Sequence, residues 1–218
     1  MPAAHHVTRT GPPVGRVFTL GLTGGIASGK SAVAAVLVEH GAVHIDYDLL
    51  ARRIVEPGTR GLRALTEAFG PDILTPDGAL DRGALAALVF SDEAARRRLD
   101  EITHPLIVAA ADELQDAAPD GAVVMHDIPL LIETGRAHDF NHLVVVDVPV
   151  ETQIARLMAR NAMSAEQARD RIAAQASRPE RLAVAGTVID NAGSLQSTRA
   201  QVDRLWDEVI APGAARCR

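Results

Sequence analysis

The sequence predicts an α/β fold, a five-stranded parallel sheet flanked by helices with a helical insertion and a lid, and three features predict it. Short apolar runs at residues 17–22, 122–126 and 143–147 read as buried strands, residues 43–46 as a further strand, and 188–190 as a weaker candidate for the fifth. A glycine-rich turn at 24–29 and a helical run at 30–40, stopped by Gly41, join the first two runs into one crossover unit, which sets the strands parallel. Between residues 48 and 117 strand signal almost vanishes, and helical runs are separated by Pro57-Gly58, Gly70-Pro71 and Pro76-Asp77-Gly78.

These boundaries divide the chain into an α/β core of residues 16–50 and 118–211, a helical insertion at 51–117, and a lid at 155–180 within the core. Two charged helical runs near 151–161 and 164–176 make the lid, and an amphipathic run at 195–210 closes the core. Residues 1–15, with His5 and His6, read as a disordered extension, and 212–218 as a flexible tail.

Composition narrows the class. A chain of 218 residues with 47% hydrophobic content can bury one α/β core, and an aromatic share of 3% makes that core aliphatic. The formal charge of −6, with no basic run to offset it, argues against nucleic acid and for a small-molecule partner. The only cysteine, Cys217, leaves no intrachain disulfide and no cysteine-based zinc site. Residues 1–15 hold no apolar segment, so neither a signal peptide nor a membrane anchor is expected, and the expected location is cytoplasmic. The expected state is a monomer or weak homo-oligomer.

The strongest chemical signal is Gly24-Gly25-Ile26-Ala27-Ser28-Gly29-Lys30-Ser31, followed by Ala32. It follows an apolar strand and opens a helix, the context that a phosphate-binding loop requires. Its glycines let successive N–H groups turn toward a β-phosphate, and the helix adds the positive end of its dipole. Lys30 would bridge the β- and γ-phosphates and Ser31 would offer its hydroxyl to Mg²⁺, so the expected cofactors are ATP and Mg²⁺.

Acidic and basic residues elsewhere leave more than one reading. Asp127 ends an apolar strand and is either the second acidic element of such a site, orienting the magnesium shell or the attacking group, or a turn cap before Pro129. Asp46 and Asp48 end the second strand, on the sheet edge where open α/β sheets bind ligands, and either can accept a hydroxyl proton. Asp48 reads equally as the N-cap of a helix that begins Leu49-Leu50-Ala51. Arg156 and Arg160, four apart on one helix, and Arg171 on the next are lid cations or a solvated basic face. Thr103-His104-Pro105 is a helix start capped by Thr103 or a ligand contact.

The order of these motifs resembles the dephospho-coenzyme A kinases, a family of P-loop kinases, from about residue 17 to residue 210. The stretches that carry the resemblance are the phosphate loop, Ile45-Asp46-Tyr47-Asp48-Leu49-Leu50-Ala51-Arg52, Val55-Glu56-Pro57-Gly58 and Asp77-Gly78-Ala79-Leu80-Asp81-Arg82. They continue through His104-Pro105, Asp127-Ile128-Pro129-Leu130-Leu131-Ile132-Glu133, Arg171-Ile172-Ala173-Ala174-Gln175 and Val188-Ile189-Asp190-Asn191. The resemblance implies a P-loop kinase fold and ATP-dependent phosphorylation of the ribose 3′-hydroxyl of dephospho-coenzyme A, the last step of coenzyme A biosynthesis. It makes 51–117 the acceptor-binding insertion and Asp48 the catalytic carboxylate. Arg52, His104, Asp127 and Leu130 would line the acceptor side, Arg156 and Arg160 would be lid arginines acting with Lys30, and Asn191 would lie near the adenine. Insertion and lid would close over both substrates to exclude water.

Four positions depart from the family pattern. Ala27 stands for a usual glycine, a change tolerated where φ is negative. Ala32 removes a second hydroxyl after Ser31, Tyr47 replaces a small residue, and Gly186 stands where an acidic residue is usual. A nucleoside monophosphate kinase would share loop, sheet and lid. A GTPase-like switch is disfavoured, because the chain lacks an Asn-Lys-x-Asp motif and an Asp-x-x-Gly step after the third strand.

Overall fold

A computed structural model of the chain describes residues 15–217. Of the extension expected over 1–15 only Gly15 falls among them, and His5 and His6 lie outside the described residues.

Strands β1 (Phe18–Gly24), β2 (Val43–Asp46), β3 (Val123–Asp127), β4 (His142–Asp147) and β5 (Thr187–Asp190) form one sheet in the order β2-β3-β1-β4-β5. The pairings β1–β3, β1–β4 and β4–β5 are parallel, with Leu22 opposite Asp127 and Asp147 opposite Asp190. The first crossover therefore does not join neighbours, since β3 lies between β1 and β2. The helices are α1 (Lys30–Glu39), α2 (Tyr47–Arg53), α3 (Arg60–Phe69), α4 (Arg82–Ser91), α5 (Glu93–Asp116), α6 (Val150–Asn161), α7 (Ala165–Ala173), α8 (Arg178–Ala183), α9 (Leu195–Leu205) and α10 (Ala211–Ala214). By contacts the chain splits into two compact units, Met1–His44 with Ala118–Arg218, and Ile45–Ala117.

The first unit carries the sheet's aliphatic core. Leu20 and Leu22 of β1, Met125 of β3, Val144 of β4 and Leu37 of α1 are fully buried in one cluster with Ile210. Every residue of β1 and β3 is buried, as a sheet covered on both faces requires. The run expected as one helix over 195–210 leaves α-geometry after Leu205 for a π-turn at Trp206–Ile210. The flexible tail expected from residue 212 is instead packed. Gly213 lies so close to the Phe18 ring that a side chain would overlap it, Ala214 is buried, and Cys217 packs partly buried against the same core.

The second unit has a small core of Val55, Leu65, Ile73 and Leu85, with Phe69, Leu99 and Ile102 against it. Its helices start on side-chain caps: Asp46 for α2, Thr59 for α3, Asp81 for α4 and Asp92 for α5. Thr103 starts no helix. Thr103-His104-Pro105 falls inside the 24-residue α5, where the Thr103 hydroxyl donates to the Leu99 carbonyl at 2.9 Å and Pro105 removes one main-chain donor.

The run expected at 164–176 is the single helix α7, and a further short helix, α8, follows it. α7 ends at Ala173 and α8 begins at Arg178, each opened by a reciprocal capping box, Ser164 with Gln167 and Ser177 with Glu180.

Candidate active site

The loop between β1 and α1 is built to leave donors open. Most of the described helices begin with a side-chain oxygen on their first N–H groups, but α1 follows Gly29 with no side-chain cap and no acidic residue in its first turn. Its leading amides and dipole are left for an anion. Gly29 sits at φ 86°, and a side chain there would overlap the Asn191 amide. A Cβ on Gly25 would lie 2.5 Å from Gln153 Nε2 and 2.7 Å from Arg181 Nη2, so this glycine lets α6 and α8 approach the loop.

Ala27 overturns one expectation. Its φ is +60°, in the left-handed region, and not negative. An L-residue there costs on the order of 1–2 kcal/mol, and such a conformation persists only where the surroundings hold it.

The surroundings do so with side chains from distant segments. Gln153 Nε2 donates to the Ile26 carbonyl at 2.7 Å, and Gln175 Oε1 accepts the Ile26 N–H at 2.7 Å. Arg156 Nη1 donates to the Ala27 and Ser28 carbonyls at 3.2 and 3.1 Å, and its Nη2 to the Asn191 carbonyl at 2.8 Å. Asn191 Nδ2 donates to the Ser28 carbonyl at 2.7 Å, while its Oδ1 accepts from the Thr198 hydroxyl at 2.7 Å. Arg156 Nη1 and Asn191 Nδ2, on residues expected to face the nucleotide, are thus spent on the loop's main chain.

Lys30, first in α1, is ion-paired with Asp127 at the end of β3, and His44 Nε2 lies 3.3 Å from the other Asp127 oxygen. Burial alone raises the Asp127 pKa, but hydrogen bonds from His44 and Lys30 and their charges outweigh it, so the carboxyl is held below its ordinary value. Asp127 is therefore not a simple turn cap. Ser31 is exposed at the start of α1. Among the described residues no group of three His, Cys, Asp or Glu side chains is placed to hold a metal ion. The oxygens of Ser31 and Asp127 fit a hard cation that takes its remaining ligands from phosphate and water.

Beside the loop opens a cavity of about 590 Å³ whose wall includes Ala27, Gly29, Ala32, Arg156, Arg160 and Asn191. Arg160 is exposed on α6, its Nε donating to Asn161. The chain after α7 is tied down at two further points. Arg178 grips Asp147 through three contacts of 2.7–3.0 Å, and the Ala176 N–H donates to Glu133 at 2.7 Å. Arg171 is exposed on α7 and lines a separate hollow with Gln167 and Asp170.

In the second unit, Asp46 and not Asp48 caps α2, and Asp48 is exposed in the helix's first turn. Arg52 on α2 and His104 on α5 are exposed, and Tyr47 is buried. In the first unit Leu130 is exposed on the segment after β3. Gly186 packs against His142, whose ring lies 2.8 Å from where a Cβ would stand, so an acidic residue there would need that imidazole to move.

The structure adds Gln153, His44, Asp147, Gln175, Arg178 and Arg181 to the residues singled out from the sequence. The Ser177-x-x-Glu180 capping box was the available signal for α8 and its arginines. Gln153 has none, because a lone buried glutamine on a helix carries no local pattern.

A glycine loop that feeds an uncapped helix from the first strand of a parallel sheet, with a lysine and a strand-end carboxylate paired beside it, places the chain among the P-loop kinases. Comparison narrows this further: residues 18–197 match the dephospho-CoA kinase family model. The chain belongs to the dephospho-CoA kinase family. It is 50% identical over 205 residues to a dephospho-CoA kinase of Cutibacterium acnes, covering 93% of this chain and 88% of that one. A crystal structure of TT1252 from Thermus thermophilus matches with TM-score 0.76 at 34% identity, over 89% of this chain and 98% of that one. A dephospho-CoA kinase from Campylobacter jejuni matches with TM-score 0.69 at 25% identity, over 90% and 98%. The protein is thus a kinase that uses ATP and acts on a small molecule, and no described helix is long and apolar enough to cross a membrane.

Proposed function

We propose that the protein transfers the γ-phosphoryl group of ATP to the ribose 3′-hydroxyl of dephospho-coenzyme A, giving coenzyme A and ADP. The observation that carries this reading is the family match over residues 18–197, laid on a phosphate loop whose helix start is left uncapped. The cytoplasm is the location that goes with it.

The bond formed joins the 3′-oxygen to Pγ, the bond broken is Pγ–O to the β-phosphate, and the hydroxyl proton passes to the Asp48 carboxylate. The phosphates draw Lys30 away from Asp127, which keeps His44 as a partner. Mg²⁺, when bound, neutralises charge on the phosphate oxygens. Ser31 and Asp127 would hold it. Arg160 meets charge developing on the transferred group, and Arg156 acts from behind by holding the loop. Asn191 sets the cavity wall for the adenine side. The unit Ile45–Ala117 takes the acceptor through Arg52 and His104, Asp127 at the end of β3 and Leu130 after it contribute contacts, and residues 155–180 act as the lid. Catalysis of this kind rests on positioning and electrostatics, which suits a site made mostly of oriented amides and cations.

Phosphorus NMR of the product tests the reading. A new 3′-phosphomonoester signal that grows with ADP supports it, and phosphate appearing only as inorganic phosphate contradicts it.

A further inference from the structure

Both main-chain groups of Ile26 are held by glutamine side chains that nothing in the reaction itself requires. Gln153, only 1% exposed on α6, donates to its carbonyl, and Gln175, after α7, accepts its N–H, each at 2.7 Å. In a planar trans peptide the carbonyl of one residue and the N–H of the next face opposite ways. Holding the Ile26 carbonyl therefore fixes the direction of the Ala27 N–H, in the residue that sits at φ +60°. Arg156 and Asn191 do the same for the Gly29 N–H through the Ser28 carbonyl. A left-handed alanine in a phosphate loop needs such restraint, because relaxation of its φ would turn those amides away.

We infer that Gln153 and Gln175 are positioning residues for phosphoryl transfer: by holding Ile26 at both ends they keep Ala27 left-handed and its N–H aimed for the phosphates. The inference rests on the functional reading above for the identity of the reaction. Neither side chain touches the reacting atoms. Both come from the lid segment or the helix that leads into it, so the same contacts join loop geometry to lid position. The residue types fit: Gln153 needs a donor that carries no charge into a buried site, and its Oε1 already has no partner there. Gln175 needs only an acceptor.

The test compares Gln153→Leu, Gln175→Leu and Gln175→Glu, with ADP affinity by calorimetry, kcat and KM toward dephospho-coenzyme A, and thermal midpoint. Each leucine variant is expected to bind ADP about tenfold more weakly and to lose about tenfold in kcat, the loss of one orienting hydrogen bond. Gln175→Glu still accepts the Ile26 N–H, so it keeps kcat within about twofold while its charge raises KM for ATP. Leucine variants with wild-type ADP affinity and kcat, changed only in thermal midpoint, would overturn the inference. Should Gln153→Leu not fold, equal kcat in Gln175→Leu and Gln175→Glu overturns it alone. Failure of the wild type to phosphorylate dephospho-coenzyme A would sink the functional reading and not this one, because the ADP titration needs no acceptor.

Discussion

The Asp46 carboxylate accepts the main-chain N–H of Leu49 at 3.0 Å and so closes the first turn of α2. That relationship settles which of two aspartates has the structural task. Asp46 is the cap, and Asp48, exposed in the same turn, is not.

The two substitutions should therefore separate. Asp48→Asn is expected to lower kcat by about 10²–10⁴-fold, the contribution of a general base, with ADP affinity unchanged. Asp46→Ala should cost about 1 kcal/mol of stability as a lost cap. Steady-state kinetics beside thermal unfolding of both variants checks this, and an Asp48→Asn enzyme with wild-type kcat removes Asp48 from the mechanism.

The backbone of the loop gives a second pair. Ala27→Gly relieves a left-handed alanine at φ +60° but adds freedom to the unfolded chain, for a net gain of about 0.5–1 kcal/mol. Gly29→Ala places a methyl group on the Asn191 amide and should abolish nucleotide binding. A calorimetric ADP titration in which Gly29→Ala binds normally would refute the loop geometry.

The strand runs and the phosphate loop were legible because each is a local pattern: short, mostly apolar stretches for β1, β3 and β4, and fixed glycine spacing before Lys30. What was not legible depends on contacts between distant residues. Ala27's left-handed backbone is held from α6, from the end of β5 and from the segment after α7. Asp46 and Asp48 are equivalent as sequence, and only the chain direction at the end of β2 decides which carboxylate reaches Leu49. His104-Pro105 imitates a helix start because proline suits a first turn, yet α5 runs through it. The tail around Gly213 has no periodic pattern of its own and so reads as free, and only the Phe18 ring against it shows otherwise.

Acid sensitivity follows from His126. Burial, with the Arg136 charge adding to it and Asp139 opposing, pulls this histidine down to about 4 from 6.5, so it is neutral in the folded protein where the unfolded chain is protonated. Its effect on stability is absent above pH 6.5 and grows as pH falls toward 4, where the folded state has lost about 3 kcal/mol relative to the unfolded one. His126→Leu should flatten that part of the stability profile. Chemical denaturation of both proteins from pH 4 to 7 reads it, and identical slopes would show that His126 does not carry the effect.

If the enzyme is specific for dephospho-coenzyme A, ADP formation is tied to that one acceptor. A coupled ADP-release assay with dephospho-coenzyme A, adenosine, AMP or no acceptor tests it directly. Turnover is expected with dephospho-coenzyme A alone, and equal turnover without acceptor, or a preference for AMP, would overturn that coupling.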